Sequence, residues 1–367
     1  MNMEWKTVKL GEVAIFRTGK LDSNAAVIGG KYPFFTCSPL TLAINDYAFD
    51  QEAILLAGNN AEGNFNIKYY KGRFNAYQRT YVINPKMDNL DIKYLYYALK
   101  ICLGKLKTMS QGTSTKFLTV RLLNNFNIPL PSLDTQHRIA AIFSSLDDKI
   151  ENNHCINANL EAQAHALFKS WFMDFEPWGG VMPDDWKEGV LGEYLIESKE
   201  KVGNRNVEEY SVGKLGIRKR SEIYHKQITS TPATNKLLKK GQIVFGMGSG
   251  CVDWGVMEDE LGATSPAYTV YSISQVIPSD YFKRFFSVNY AKAMDLVKPS
   301  VRQGQGLDKG VLMGKYIYIP TKETWSKFCL LYNPLMTQVR TNIEESQRLA
   351  QLRDTLLPKL MKGEIEL

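Results

Sequence analysis

The sequence predicts an α/β (α+β) chain laid out as domain, long helix, domain, long helix, with the second pair an internal repeat of the first. Three observations predict it. Two opening segments match: "EWKTVKLGEVAIF" from Glu4 and "DWKEGVLGEYLIE" from Asp185. Trp5, Lys6, Leu10, Gly11 and Glu12 return as Trp186, Lys187, Leu191, Gly192 and Glu193, at an offset of 181. Two closing segments match, "NIPLP" (127–131) and "YIYIP" (316–320), but at an offset of 189, so the second copy is eight residues longer in its middle. After each closing segment an apolar residue recurs at seven-residue spacing, which argues coiled coil.

Residues 1–134 form the first domain. Short runs such as "EAILLAG" (52–58) and "RTYVINP" (79–85) are rich in β-branched residues and bounded by Gly, Asn or Pro, as strands are. The helical piece "LDIKYLYYALKICLG" follows, then the polar loop "SQGTSTKFL" (110–118) and a last strand. Residues 176–323 repeat the plan with "GQIVFGMG" (241–248), "AYTVYSI" (267–273), the helical "SDYFKRFFSVNYAKAMDLV" and the loop "SVRQGQGLDKG" (300–310).

Residues 135–175 form the first long helix. It starts near Asp134 or Thr135, after Pro131, and ends before Pro177 and Gly179-Gly180. About 38 residues make a rod about 57 Å long. Its seam is Ile139, Leu146, Asn153, Leu160 and Leu167, widened by Ile142, Ile150, Ala164 and Trp171. Residues 324–367 form the second, starting near Thr324 and fraying at Pro358 and Gly363. Its seam is Phe328, Leu335, Asn342, Leu349 and Leu356, widened by Leu331, Val339 and Leu352.

Asparagine crowds the first helix at 152, 153, 157 and 159, although it is a mediocre helix former. Asn153 and Asn342 hold the same place in the repeated seam. A polar residue there costs stability and specifies register. An antiparallel pairing would bring the two together near the middle; alternatively both lie at the seam's edge and touch water. Asn152 and Asn159 read as solvated face or as contacts to another subunit.

The chain has 367 residues, and its formal net charge of +7 is compatible with a polyanionic partner. The charge is uneven. Residues 1–134 carry 16 Lys and Arg against 10 Asp and Glu, residues 135–175 carry 3 against 5, and residues 176–323 carry 20 against 18. The excess lies beside the first long helix, not on it. Five cysteines at 37, 102, 155, 251 and 329, none in CxxC spacing, argue for a reduced, cytoplasmic protein without a disulfide framework or zinc site. No apolar run approaches a bilayer span and no secretory signal is expected, so no membrane partner is expected either.

No catalytic constellation emerges. "IVFGMGSG" offers a strand followed by GxGxG, but "CVDWGVMEDELG" after it is no amphipathic helix, so the motif reads as a Gly-rich turn in a sheet. "INPKM" (83–87) lacks the second Pro and the aromatic of an Asn-Pro-Pro-Tyr motif. There is no Walker loop, and the histidines at 137, 154, 165 and 225 form no HxxxH pair. Asp147-Asp148 and Glu344-Glu345 read as solvated flanks or partner contacts. Nucleophile, base and oxyanion site do not assemble, so the chain reads as a binder without a cofactor.

For nucleic-acid binding the candidates are cations and amides beside Gly-rich loops, because Arg and Lys read guanine while Asn and Gln read adenine. In the first domain these are Lys105, Lys107, Ser110, Gln111, Thr113, Ser114 and Lys116, then Gln78 and Arg79. In the second they are Lys214, Arg218, Lys219 and Arg220, then Arg302, Gln303 and Gln305.

The run "IPLPSLDTQHRIAAIFSSLDDKIENNHCINANLEAQAHALFKSWFMDFEP" resembles the central conserved region of the specificity subunit of Type I restriction-modification systems. "NIEESQRLAQLRDTLLPKLMKGEIEL" resembles that family's distal conserved region, and the two "WK…LGE" segments resemble the starts of its two target recognition domains. The resemblance covers essentially the whole chain. It implies that each target recognition domain reads one half of a split site on double-stranded DNA. It implies an antiparallel coiled coil that sets the spacing, with two modification (methyltransferase) subunits docked on the conserved regions and restriction subunits joining them. S-adenosylmethionine and ATP chemistry then belongs to the partners. Self-association of the isolated subunit is a further expectation. Two other readings stand beside it. A DNA methyltransferase in its own right would bind S-adenosylmethionine saturably, and a protein-only coiled-coil scaffold would lack salt-sensitive DNA affinity.

Overall fold

Both halves of the chain close on themselves through the same hydrogen bonds. In the computed structural model, which describes residues 5–112, 115–213, 216–223, 232–247, 252–290, 296–298 and 306–365, strand Lys6–Lys9 pairs antiparallel with Asn127–Leu130, and Lys187–Val190 pairs antiparallel with Tyr316–Ile319. The next residue donates in each case: the Leu10 amide to the Phe126 carbonyl at 2.7 Å, and the Leu191 amide to the Lys315 carbonyl at 2.8 Å. A buried tyrosine locks the closing strand, with the Tyr94 hydroxyl donating to the Pro129 carbonyl at 2.9 Å and the Tyr281 hydroxyl to the Tyr318 carbonyl. The repeat seen in the sequence is therefore a repeat of contacts.

The chain divides into two units, Met1–Ile156 with Arg340–Leu367, and Asn157–Val339. The first contains a six-stranded sheet. Its order is Ala14–Thr18, Thr80–Pro85, Phe49–Ala57, Ile67–Ala76, Tyr32–Phe35, Leu42–Ile44. Every pairing is antiparallel except that of Tyr32–Phe35 with Ile67–Ala76. Helix Ile92–Ile101 is capped by Asp91, whose carboxylate accepts the Tyr94 amide at 2.7 Å, and it buries Tyr94, Leu95, Ala98 and Leu99 completely. One core joins this helix to Ile54, Leu56 and Ile83 of the sheet and to both long helices through Ile139, Phe143, Leu357, Leu360 and Met361. Gln136 seals the junction: fully buried, it accepts the Asp91 amide at 2.9 Å and donates to the carbonyls of Asn89 and Pro131.

The second unit keeps the first three strands of that order as Leu195–Ser198, Thr269–Ile273 and Ile243–Met247, then adds Val252–Val256. Separate antiparallel pairs accompany it: Tyr210–Gly213 with Gly216–Lys219, Lys236–Lys239 with Leu261–Thr264, and Val297–Lys298 with Gly306–Leu307. Helix Ser279–Tyr290 buries Tyr281, Phe282, Phe285 and Phe286 against Ile243, Phe245 and the aromatic ends of the long helices, Phe168, Phe172 and Phe328. The sequence divergence in the middle of each copy is thus a divergence of the further strands on a shared first three.

The long helices run Leu133–Phe172 and Lys322–Met361. Each begins with a hydroxyl cap after a proline. Ser132 accepts the Thr135 amide at 3.3 Å, and Thr321 accepts the Thr324 amide at 3.2 Å. The second does not fray at Pro358, as the sequence suggests, but continues to Met361, because Leu357, Leu360 and Met361 are buried and outweigh the missing proline donor. Gly363, at φ 67°, ends it.

Inside each unit the two helices are antiparallel. Asp147 meets Arg353, and Asn153 meets Asn342, Glu345 and Ser346; in the second unit Asn157 meets Val339, and Phe168 and Phe172 meet Phe328. Ile139, Asn153, Phe328 and Asn342 are buried, while Leu146, Leu160, Leu167, Leu335, Leu349 and Leu356 are half-buried. Leu331 and Leu352 do not widen the stripe: they are exposed, and Tyr332 and Arg353, one residue on, face inward instead.

Candidate nucleic-acid interface

In the first unit four backbone segments lie side by side beside one end of the six-stranded sheet. The turn Gln78-Arg79 joins strands Ile67–Ala76 and Thr80–Pro85, and both residues are exposed. The Gly58 amide donates to the Arg79 carbonyl at 2.8 Å, and the Leu118 amide donates to the Gly58 carbonyl at 2.8 Å. Asn59 and Asn60 then pair with Phe117 and Lys116. On the far side Gln111 and Phe117 exchange amide bonds at 3.1 and 2.9 Å. A Cβ at Gly58 would sit 2.4 Å from the Arg79 carbonyl oxygen, so only glycine permits this approach.

This rim gathers Gln78, Arg79, Lys107, Gln111 and Lys116. The Lys107 ammonium donates to the Asn64 amide oxygen at 2.6 Å, and both Lys107 and Lys116 pack over Gly63. Glu62 also lies here, accepting from the Asn64 side-chain amide at 3.0 Å. Ser110 follows helix Leu103–Met109 and turns its hydroxyl back onto the Lys107 carbonyl at 2.6 Å. Lys105 is elsewhere, its ammonium 5.5 Å from the Phe126 ring centre. Thr113 and Ser114 lie outside the described residues. Lys68 is committed inward to Ser38 and Thr41, and burial pulls its pKa below the ordinary lysine value. Sequence reasoning missed Asn59, Asn60, Asn64 and Phe117. The first three carry only the weak signal of an Asn-rich loop, and Phe117 lies in a stretch that reads as a polar loop, where the structure has the two-residue strand Lys116–Phe117.

In the second unit Arg218 and Lys219 are exposed on strand Gly216–Lys219. Arg220 is held: its amide donates to the Glu209 carbonyl at 2.7 Å and its guanidinium to the Ser211 hydroxyl at 3.0 Å. Lys214, Arg302, Gln303 and Gln305 lie outside the described residues, as does the glycine-rich stretch 248–251. Among the described residues no group of His, Cys, Asp and Glu could hold a metal ion. None of their helices is long and apolar enough to cross a membrane.

These features define a repeat-built α/β protein with antiparallel long helices and a cation- and amide-bearing rim. Residues 2–162 match the family model of the Type I restriction modification DNA specificity domain. The Type I restriction enzyme EcoDI specificity subunit of Escherichia coli is 42% identical over 187 residues, which are 50% of this chain and 40% of that protein. The MjaIX specificity subunit of Methanocaldococcus jannaschii is 28% identical over 312 residues, 77% of this chain and 71% of that one. In fold, the S subunit of a Type-I restriction-modification system from M. genitalium aligns over 98% of this chain and 96% of its own, with a TM-score of 0.59 at 18% identity. The chain is thus similar to Type I restriction enzyme specificity subunits in sequence and in fold. Its match to the E. coli subunit spans less than half of that protein's length.

Proposed function

We propose that this chain is the non-catalytic, sequence-specific DNA-binding subunit of a Type I restriction-modification complex, working in the cytoplasm. Residues 1–134 and 176–323 are its target recognition domains, each reading one half of a bipartite site. The long helices set the spacer between halves and dock two methyltransferase subunits, and restriction subunits join that assembly. The observation that carries the reading is the repeated closure on non-identical bodies: one plan of strand pair, tyrosine lock and capped helix, bearing different further strands. Two readers that differ outside a shared frame suit two half-sites that differ in sequence.

In the first domain Arg79, Lys107 and Lys116 hold phosphates or guanine, while Gln78, Gln111 and Ser110 supply base contacts beside them. Lys105, Thr113 and Ser114 are proposed as further DNA-binding residues of this domain. In the second, Lys214, Arg218, Lys219 and Arg220 act with Arg302, Gln303 and Gln305. Cationic contacts make affinity fall steeply with salt.

The test is selection from random-sequence DNA by the chain with its cognate methyltransferase subunits, followed by footprinting. Two short defined blocks around a fixed spacer are expected. Removing one heptad from each long helix shortens the rods by about 10.5 Å, so the spacer loses about 3 base pairs. One continuous block, or no enrichment, overturns the reading.

A further inference from the structure

Phe117 has no place in the cores described above. Every other phenylalanine is buried or half-buried, but Phe117 is 39% exposed on the two-residue strand Lys116–Phe117. Its position is built. Both its backbone groups are bonded to Gln111, its neighbour Leu118 bonds Gly58, and the Leu118 carbonyl accepts the Tyr81 hydroxyl at 2.8 Å. Gly112, at φ +99°, leaves room for the ring: a Cβ there would lie 3.0 Å from Phe117 Cε1 and 2.1 Å from the Thr115 carbonyl oxygen. The surroundings are cationic and amide-bearing, with Lys116 adjacent, Gln111 across the bridge and Arg79 beyond Gly58. A rigidly held apolar ring among phosphate- and base-binding side chains matches one feature of the major groove, the thymine 5-methyl group, which hydrogen-bonding side chains cannot read.

We propose that Phe117 is a specificity-determining residue of the first recognition domain, laying its ring against the 5-methyl group of a thymine in that domain's half-site. The proposal rests on the DNA-reading role above and adds the base and the contact. It also assigns Gly112 a positioning role.

The experiment uses the full chain with its methyltransferase subunits and the DNA site obtained by selection. Each thymine of the half-site is replaced in turn by deoxyuridine, which removes only the methyl group. Wild type should lose about fourfold in affinity at one thymine, the worth of one buried methyl. Phe117→Ala should bind the thymine and deoxyuridine sites equally, with the second half-site and the salt dependence unchanged. Phe117→Leu, which keeps an apolar side chain, should retain part of the discrimination and shows that the domain is intact. A half-site without thymine, or wild-type-like discrimination in Phe117→Ala, overturns the proposal while leaving the two-reader function standing. Absence of specific binding by wild type overturns both.

Discussion

In the first unit, a charged cluster flanks the apolar core between helix Ile92–Ile101 and the long helices. Asp147 accepts from the Arg353 guanidinium at 2.6 Å and from the Tyr97 hydroxyl at 2.9 Å, with the Lys100 ammonium at 3.6 Å. In the second unit, helix Ser279–Tyr290 meets them through rings. Phe172 touches Phe168, Tyr281, Trp325 and Phe328, and Arg284 lies 3.5 Å over the ring centre of Tyr332. The repeat offset of 189 pairs Asp147 with Met336 and Arg353 with Ala164. One backbone plan is therefore held by two chemistries. The strand pair and tyrosine lock carry the architecture, and the docking contact is free to vary. Burial works against the Arg353 charge and lowers the Lys100 pKa, but hydrogen bonds to Asp147 and Asp354 keep Arg353 above its ordinary value.

The largest effect is expected where the rings are. Phe172→Ala empties a fully buried site and should cost about 3–5 kcal/mol. Tryptophan fluorescence in urea is the readout, because Trp171, Trp178, Trp186, Trp254 and Trp325 lie in Asn157–Val339 and only Trp5 lies outside it. A shift of the midpoint by less than 1 kcal/mol, on the order of a surface substitution, would show that the aromatic cluster is not what holds this unit.

The charged contact should be weaker in isolation and partly replaceable as a pair. Asp147→Ala leaves Arg353, whose side chain is 17% exposed, without its main partner, and should cost about 2–4 kcal/mol. Asp147→Met with Arg353→Ala installs the second unit's residues at these two positions and should recover part of that loss, since apolar pairs often replace part-buried ion pairs, while Lys100 and the Tyr97 hydroxyl stay without Asp147. Additive losses in this double variant, measured by circular dichroism in urea, would mean that charge is required there.

The same contrast explains what was legible in the sequence. Heptads and repeated segments are local patterns, so the long helices and the shared strands followed from periodicity and matching, whereas the antiparallel pairing of the helices was implied only by the family resemblance. Strand Ile67–Ala76 was less visible: "IKYYKGRFNA" mixes charge and aromatic residues because one face is half-exposed and the other packs on Phe35 and Phe49. The rim was legible residue by residue but not as a surface. Gln78-Arg79 and Gln111 are far apart in the chain, and only the Gly58 bridge brings them together. Lys105 and Lys107 look equivalent in the sequence. Helical geometry turns one toward Phe126 and the other toward Asn64.

The smallest effect concerns the asparagine layer. Asn153 is fully buried, and its Nδ2 donates to Glu345 at 2.8 Å, the Ser346 hydroxyl at 3.2 Å and the Asn342 carbonyl at 3.4 Å. The two seam asparagines thus meet by side chain to backbone rather than amide to amide. Asn153 Oδ1 is buried without a hydrogen-bond partner, a cost that leucine would remove. Ser346 would still bond the Asn342 carbonyl at 2.7 Å, and Glu345 would keep Lys149 at 3.3 Å. Asn153→Leu should therefore stabilise by about 1 kcal/mol or less while removing a register-specifying contact. In wild type the Asp147–Arg353 pair still specifies register in this unit, so amide hydrogen exchange should change little. In the Asp147→Met/Arg353→Ala background the Asn153 layer and Lys149–Glu345 still act across the helix pair. There Asn153→Leu should raise the melting temperature yet lower amide protection along residues 146–156 and 340–350. Unchanged protection in that triple variant would mean that shape alone sets the pairing, and that the polar layer does not act on register.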